Sequence, residues 1–144
     1  MDPAGLDAIF VHYLGYSVGL PGGMSAPIGH SGTIAFDPQN GETRYYEFGR
    51  YGGTCGNVRG PFNVGKIVFD KDGNATPESI DAALKAASEA FGKNKPTYSE
   101  YSKKSFTEVV DYAERRKREA ATCERPYNFL FDNCNTFGRE AAGR

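Results

Sequence analysis

The sequence predicts an α+β fold, a small antiparallel sheet with about three helices packed against it. Three stretches carry that expectation. Residues 30–37 (HSGTIAFD) and 42–51 (ETRYYEFGRY) are strand-like runs joined by PQNG, whose Pro, Asn and Gly make a hairpin turn. Residues 76–92 (TPESIDAALKAASEAFG) open on Thr76 and place Pro77 at the first helical position. They repeat apolar residues at Ile80, Leu84, Ala87 and Phe91 and close on Gly92, which predicts a helix. Residues 105–121 (SFTEVVDYAERRKREAA) align Phe106, Val109, Val110 and Ala113 on one face and predict a second.

The remaining elements follow in order. Residues 7–14 (DAIFVHYL) are apolar, β-branched or aromatic, and read as a strand. Residues 17–30 (SVGLPGGMSAPIGH) hold four glycines and two prolines without periodicity, which favours a functional loop over a plain connection. Residues 52–61 (GGTCGNVRGP) read as another loop and 63–70 (NVGKIVFD) as a further strand. The stretch DKDGNATPESID (70–81) spaces acidic and amide groups like a calcium loop. It carries Ala75 where such a loop needs Gly, so a strand-to-helix turn with Thr76 as cap is the better account. A polar segment with Tyr98 and Tyr101 offers one more strand. The run ERRKRE (114–119) reads as a solvated helix face laced by pairs such as Glu114 with Arg118. DNCNTFGREAAG opens a third helix near Cys134.

Composition bounds the function. A chain of 144 residues accommodates one domain, 1–144. With 17 basic and 18 acidic residues the net charge is −1, which gives no footprint for nucleic acid. No apolar run approaches the ~20 residues of a membrane span, so no membrane insertion is expected. The start, MDPAGLDAIF, lacks the basic and apolar regions of a secretory signal. A chain made in the cytoplasm, or exported without a cleavable signal, is therefore expected. Cys55, Cys123 and Cys134 have no metal-ligand spacing, and neither metal nor cofactor is expected. Cys55 and Cys123 lie in loops and would pair only in an oxidising compartment.

Cys134 has the features of a nucleophile. Asp132 or Asn133 would cap its helix, whose dipole lowers the pKa of a thiol in the first turn. Its own N–H, an orphan of that turn, would be available to a developing oxyanion. A buried inert thiol is the other account, and the residues alone leave both open. His30 is the better base of the two histidines, at the start of a strand after the glycine-rich loop; a capping histidine is the alternative. His12, inside the first strand, reads as a packed or edge residue. Glu47 is the first choice for a third group to orient the imidazole. It shares a face with Tyr45 and Gly49, and it would point away from His30 if Tyr46 and Phe48 form the core under the helices. Asn133 and Asn135 would supply amide dipoles or caps, and Tyr13 or Tyr16 a hydroxyl to an oxyanion.

The stretch YNFLFDNCNTF (127–137), with the histidine of GHSGTIAFD preceding it in the chain, resembles the PPPDE family of thiol isopeptidases. The resemblance implies a circularly permuted papain-like fold, shared with lecithin:retinol-acyltransferase-like and NlpC-type proteins. GHSGTIAFD, GETRYYEFGRY and PYNFLFDNCNTF are more particularly similar to bacterial cysteine hydrolases delivered by type VI secretion or found at the ends of polymorphic toxins. That likeness implies a Cys134 nucleophile, a His30 base and peptidoglycan peptide amides as substrate. It also implies a cognate immunity protein, contact with a secretion apparatus, and delivery from the bacterial cytoplasm to the target-cell periplasm. The alternatives are an isopeptidase acting on ubiquitin-like conjugates, an acyl-lipid hydrolase, and a non-enzymatic binding module.

Overall fold

The computed structural model describes residues 7–19, 21–26, 29–49 and 57–121. Five strands form one antiparallel sheet in the order β6-β5-β4-β1-β7: β1 (Ala8–Tyr13), β4 (His30–Phe36), β5 (Thr43–Gly49), β6 (Asn57–Phe62) and β7 (Thr97–Tyr101). A separate two-stranded ribbon, β2 (Val18–Gly19) with β3 (Ser25–Ala26), lies within the segment expected to be loop. A short 3-10 turn (Pro21–Gly23) between β2 and β3 and two α-helices, α1 (Pro77–Phe91) and α2 (Phe106–Ala121), complete the described architecture. The third helix, expected near Cys134, lies outside the described residues, and none of the described helices is long and apolar enough to cross a membrane.

The period of two in the strands sorts side chains onto two faces, and both faces are buried. Ile9, Val11 and Tyr13 of β1, Ile34 and Phe36 of β4 and Tyr45 of β5 pack with Ala83 and Ala87 of α1. Small residues at those helix positions let α1 lie close to the sheet. On the opposite face, Tyr46 and Phe48 of β5 and Val58 of β6 meet Ala113 of α2, while Ala8 and Ala35 meet Val109. The α2 helix begins with a reciprocal cap: Glu108 N–H donates to Ser105 Oγ at 3.2 Å, and Ser105 N–H donates to the Glu108 carboxylate at 3.2 Å.

The β4–β5 hairpin forms where the sequence predicts it. Gly41 N–H donates to the Asp37 carbonyl at 2.8 Å, and Gly41 adopts φ +76° beside the Ile67 carbonyl, where a Cβ would collide.

The next strand differs from expectation. The regular partner of β5 is Asn57–Phe62, in the stretch expected to be loop, whereas residues 63–70 make only single bridges, Glu42 to Lys66 and Phe69 to Ala75. In β6 the Gly-Pro pair that suggests a loop sits in a β-bulge between the Tyr45–Phe62 and Glu47–Arg59 pairings, with Gly60 at φ +117° against the Tyr45 carbonyl. Residues 63–70 contribute to the core through Val64 and Ile67, three residues apart, because Gly65 at φ +116° breaks the alternation.

The turn at 70–76 is closed by Asp70, whose carboxylate accepts from Asp72 N–H at 2.9 Å and Asn74 N–H at 3.0 Å. Thr76 stands at the cap position of α1, but its hydroxyl donates to Ser79 Oγ at 2.9 Å.

The basic run on α2 is only partly a solvated face. Arg116 is buried, its guanidinium 5.1 Å from the Phe48 ring centre and donating to Tyr112 Oη at 2.7 Å. Glu114 accepts from Tyr46 Oη at 2.9 Å, and Lys117 Nζ donates to the Gly60 carbonyl at 2.8 Å. Glu114, Arg116 and Lys117 thus reach residues of the sheet that α2 covers, whereas Arg115 is exposed.

Candidate active site

The expected histidine and glutamate meet at one end of the α1-facing side of the sheet. Gly29, at φ +92° and backed closely by the His12 imidazole, turns the chain so that His30 opens β4. Register then does the rest. His30 is the cross-strand neighbour of Tyr13, and Gly32 that of Glu47, so His30 and Glu47 lie on the diagonal that long side chains span. His30 Nε2 lies 2.8 Å from Glu47 Oε2, with His30 8% and Glu47 3% exposed. Tyr46 and Phe48 do pack under α2, yet Glu47 does not point away from His30: the opposite face of the sheet is covered too, by α1, and His30 lies on that face with Glu47.

The carboxylate has further neighbours. Tyr45 Oη donates to Glu47 Oε2 at 2.8 Å, and Tyr13 Oη donates to Tyr45 Oη at 2.8 Å. Arg59 Nη1 stands 3.8 Å from the other oxygen, Oε1. A buried carboxylate is tolerated when donors and a cation surround it, and here they do. Burial above all pushes both the Tyr13 and the Tyr45 hydroxyls well above the ordinary tyrosine value, so both keep their protons and remain donors.

Of the two tyrosines considered for an oxyanion, Tyr13 is placed otherwise. Strand alternation sets it on the buried face, and its hydroxyl is given to Tyr45. Its ring lies 5.8 Å from His30, centre to centre, with Gly92 packed against it. Tyr16 flanks the imidazole at 4.9 Å and is only partly buried, and Lys93 Nζ sits 4.4 Å over its ring. Cys134, Asn133 and Asn135 lie outside the described residues, as do Cys55 and Cys123. No cluster of His, Cys, Asp or Glu suited to a metal ion occurs among the described residues.

Tyr45, Lys93 and Arg59 are contributors that sequence reasoning passed over. The signal for Tyr45 was present: it is two residues before Glu47 on the same face, opposite a strand bearing Gly32. Arg59 was hidden by its assignment to a loop.

A buried imidazole–carboxylate pair at a strand start is an arrangement that can orient a base and stabilise an imidazolium. Comparison with known proteins adds the family context. Residues 9–142 match the family described as "Type VI secretion system effector TseH-like". Among solved structures, the chain is similar to the crystal structure of the type VI secretion system effector TseH. The identity is 26% and the TM-score 0.75, over 96% of this chain and 76% of that one. No curated protein matches the chain.

Proposed function

From its membership of the type VI secretion system effector TseH-like family, and from the His30–Glu47 pair, we propose that this chain is an effector that works as a cysteine hydrolase. In this proposal Cys134 is the nucleophile, His30 the general base and Glu47 the group that orients the imidazole. The observation that carries it is the buried 2.8 Å contact between His30 Nε2 and Glu47 Oε2. With Nε2–H engaged by the carboxylate, the lone pair resides on Nδ1, which accepts the thiol proton. The thiolate attacks the carbonyl carbon of an amide, and the tetrahedral oxyanion collapses to a thioester as the imidazolium protonates the departing amine. Water, deprotonated by the same imidazole, then releases the carboxylic acid and restores the thiol.

The chain order, histidine first and cysteine last, fits a circularly permuted papain-like arrangement of one hydrolase domain over 1–144. The substrate we assign is the peptide stem of peptidoglycan, reached in the target-cell periplasm, with a cognate immunity protein protecting the producer. A mass-spectrometric digest of purified peptidoglycan tests the assignment. Wild type is expected to release cleaved muropeptides and to be toxic when directed to the periplasm, and Cys134→Ala and His30→Ala to do neither. Intact muropeptides with wild type, or full toxicity of Cys134→Ala, would end it.

A further inference from the structure

We propose that Tyr45 is a positioning residue for this site: its hydroxyl holds the Glu47 carboxylate in the orientation that keeps the proton of neutral His30 on Nε2. The consequence for turnover rests on the hydrolase reading above, whereas the positioning itself is a property of the fold.

The same carboxylate oxygen, Oε2, accepts from Tyr45 Oη and faces His30 Nε2, each at 2.8 Å. Tyr13 gives the arrangement a direction. A hydroxyl has one proton, and Tyr13 Oη donates to Tyr45 Oη at 2.8 Å, so the Tyr45 proton points to Glu47. The opposite oxygen, Oε1, faces Arg59 Nη1 at 3.8 Å, so each side of the carboxylate has its own neighbour.

The Tyr45 ring has little freedom to move. It stacks on Phe91 of α1 at 4.5 Å with planes 10° apart. On β4 it lies where a Cβ of Gly32 would be, so the glycine opens the slot that the ring fills. Both tyrosines are fully buried, and burial keeps both hydroxyls protonated throughout the neutral range. A carboxylate held in this way presents a fixed acceptor to Nε2 and leaves Nδ1 as the basic nitrogen. Without the Tyr45 hydroxyl, Oε2 loses the donor it shares with His30, the carboxylate is held less firmly and the tautomer preference weakens.

The test compares the full-length wild type with Tyr45→Phe, which keeps the ring and its stack, and with Tyr13→Phe, which removes only the donor behind it. Proton–nitrogen NMR of the His30 side chain reads the tautomer directly and does not depend on turnover. Wild type is expected to hold the proton on Nε2. In Tyr45→Phe, exchange of that proton with solvent should rise about tenfold, and a population protonated at Nδ1 should appear. Tyr13→Phe should shift both in the same direction by less. On peptidoglycan, kcat of Tyr45→Phe should fall about tenfold with KM nearly unchanged.

Wild-type tautomer and exchange in a folded Tyr45→Phe protein would overturn the positioning role, as would an effect of Tyr13→Phe alone. If wild type cleaves nothing, the hydrolase reading fails, yet the NMR comparison still decides whether Tyr45 positions the pair.

Discussion

Gly32 illustrates how one missing side chain builds a site. It faces Glu47 across the strand pair, and the Tyr45 ring occupies the volume its Cβ would need. Gly32→Ala is therefore expected to push the ring off Phe91, lowering stability by about 1–3 kcal/mol, the usual range for overpacking. Urea denaturation measures this; a Gly32→Ala protein as stable as wild type would mean that the ring is not wedged there. Under the hydrolase function proposed above, the same substitution should also reduce turnover through Tyr45, so stability and activity should fall together here, whereas in Tyr45→Phe activity should fall more than stability, because the stack on Phe91 is kept.

Among the elements, α2 shows how a charge-rich segment can be a packing device. Its basic run lies against the sheet through Arg116, whose guanidinium covers Phe48 and bonds Tyr112. Much of what Arg116 contributes is contact along its stem and over the ring. Arg116→Ala should thus cost about 2–4 kcal/mol, through the vacated volume and the hydrogen bonds lost. Arg116→Met, which refills most of that volume, should cost clearly less. Thermal and urea unfolding of the two variants checks the order; equal losses would shift the explanation from packing to charge. The β6 strand makes a related point. Its bulge at Gly60 lies beside the positions that hold Glu47, so an element that looks like loop carries Arg59 to the carboxylate.

At the scale of the whole molecule, the site ties stability to alkaline pH. Tyr13 and Tyr45 have folded-state values raised above the ordinary 10.0 by burial. Above about pH 10 the unfolded chain loses these protons and the folded protein does not, so the unfolded state binds fewer protons and stability falls as pH rises. Each of the two contributes up to about 1.4 kcal/mol per pH unit in that window. Circular dichroism with tyrosinate absorbance should show these tyrosines ionising only as the fold is lost, and Tyr45→Phe should lessen the alkaline loss. Titration of all tyrosines near pH 10 with the fold intact would contradict it.

Much of this architecture was legible in the chain. The hairpin at 30–49 followed from its turn residues, α1 from Pro77 and its apolar spacing, and α2 from Phe106, Val109, Val110 and Ala113, because these signals are local. The β6 strand was not legible, since its Gly and Pro serve a bulge that only the β5 strand explains. The likeness of three short motifs to proteins delivered by type VI secretion also pointed to the effector family, through residues adjacent in sequence. The sequence by itself thus determined the hairpin and the two described α-helices, and it offered His30 and Glu47 as candidate groups. Only the tertiary structure decided that the two face each other. That outcome depends on the register of β1, β4 and β5, on helices covering both faces of the sheet, and on Tyr45 filling the slot at Gly32. These are relations between residues distant in the chain, and no local pattern encodes them.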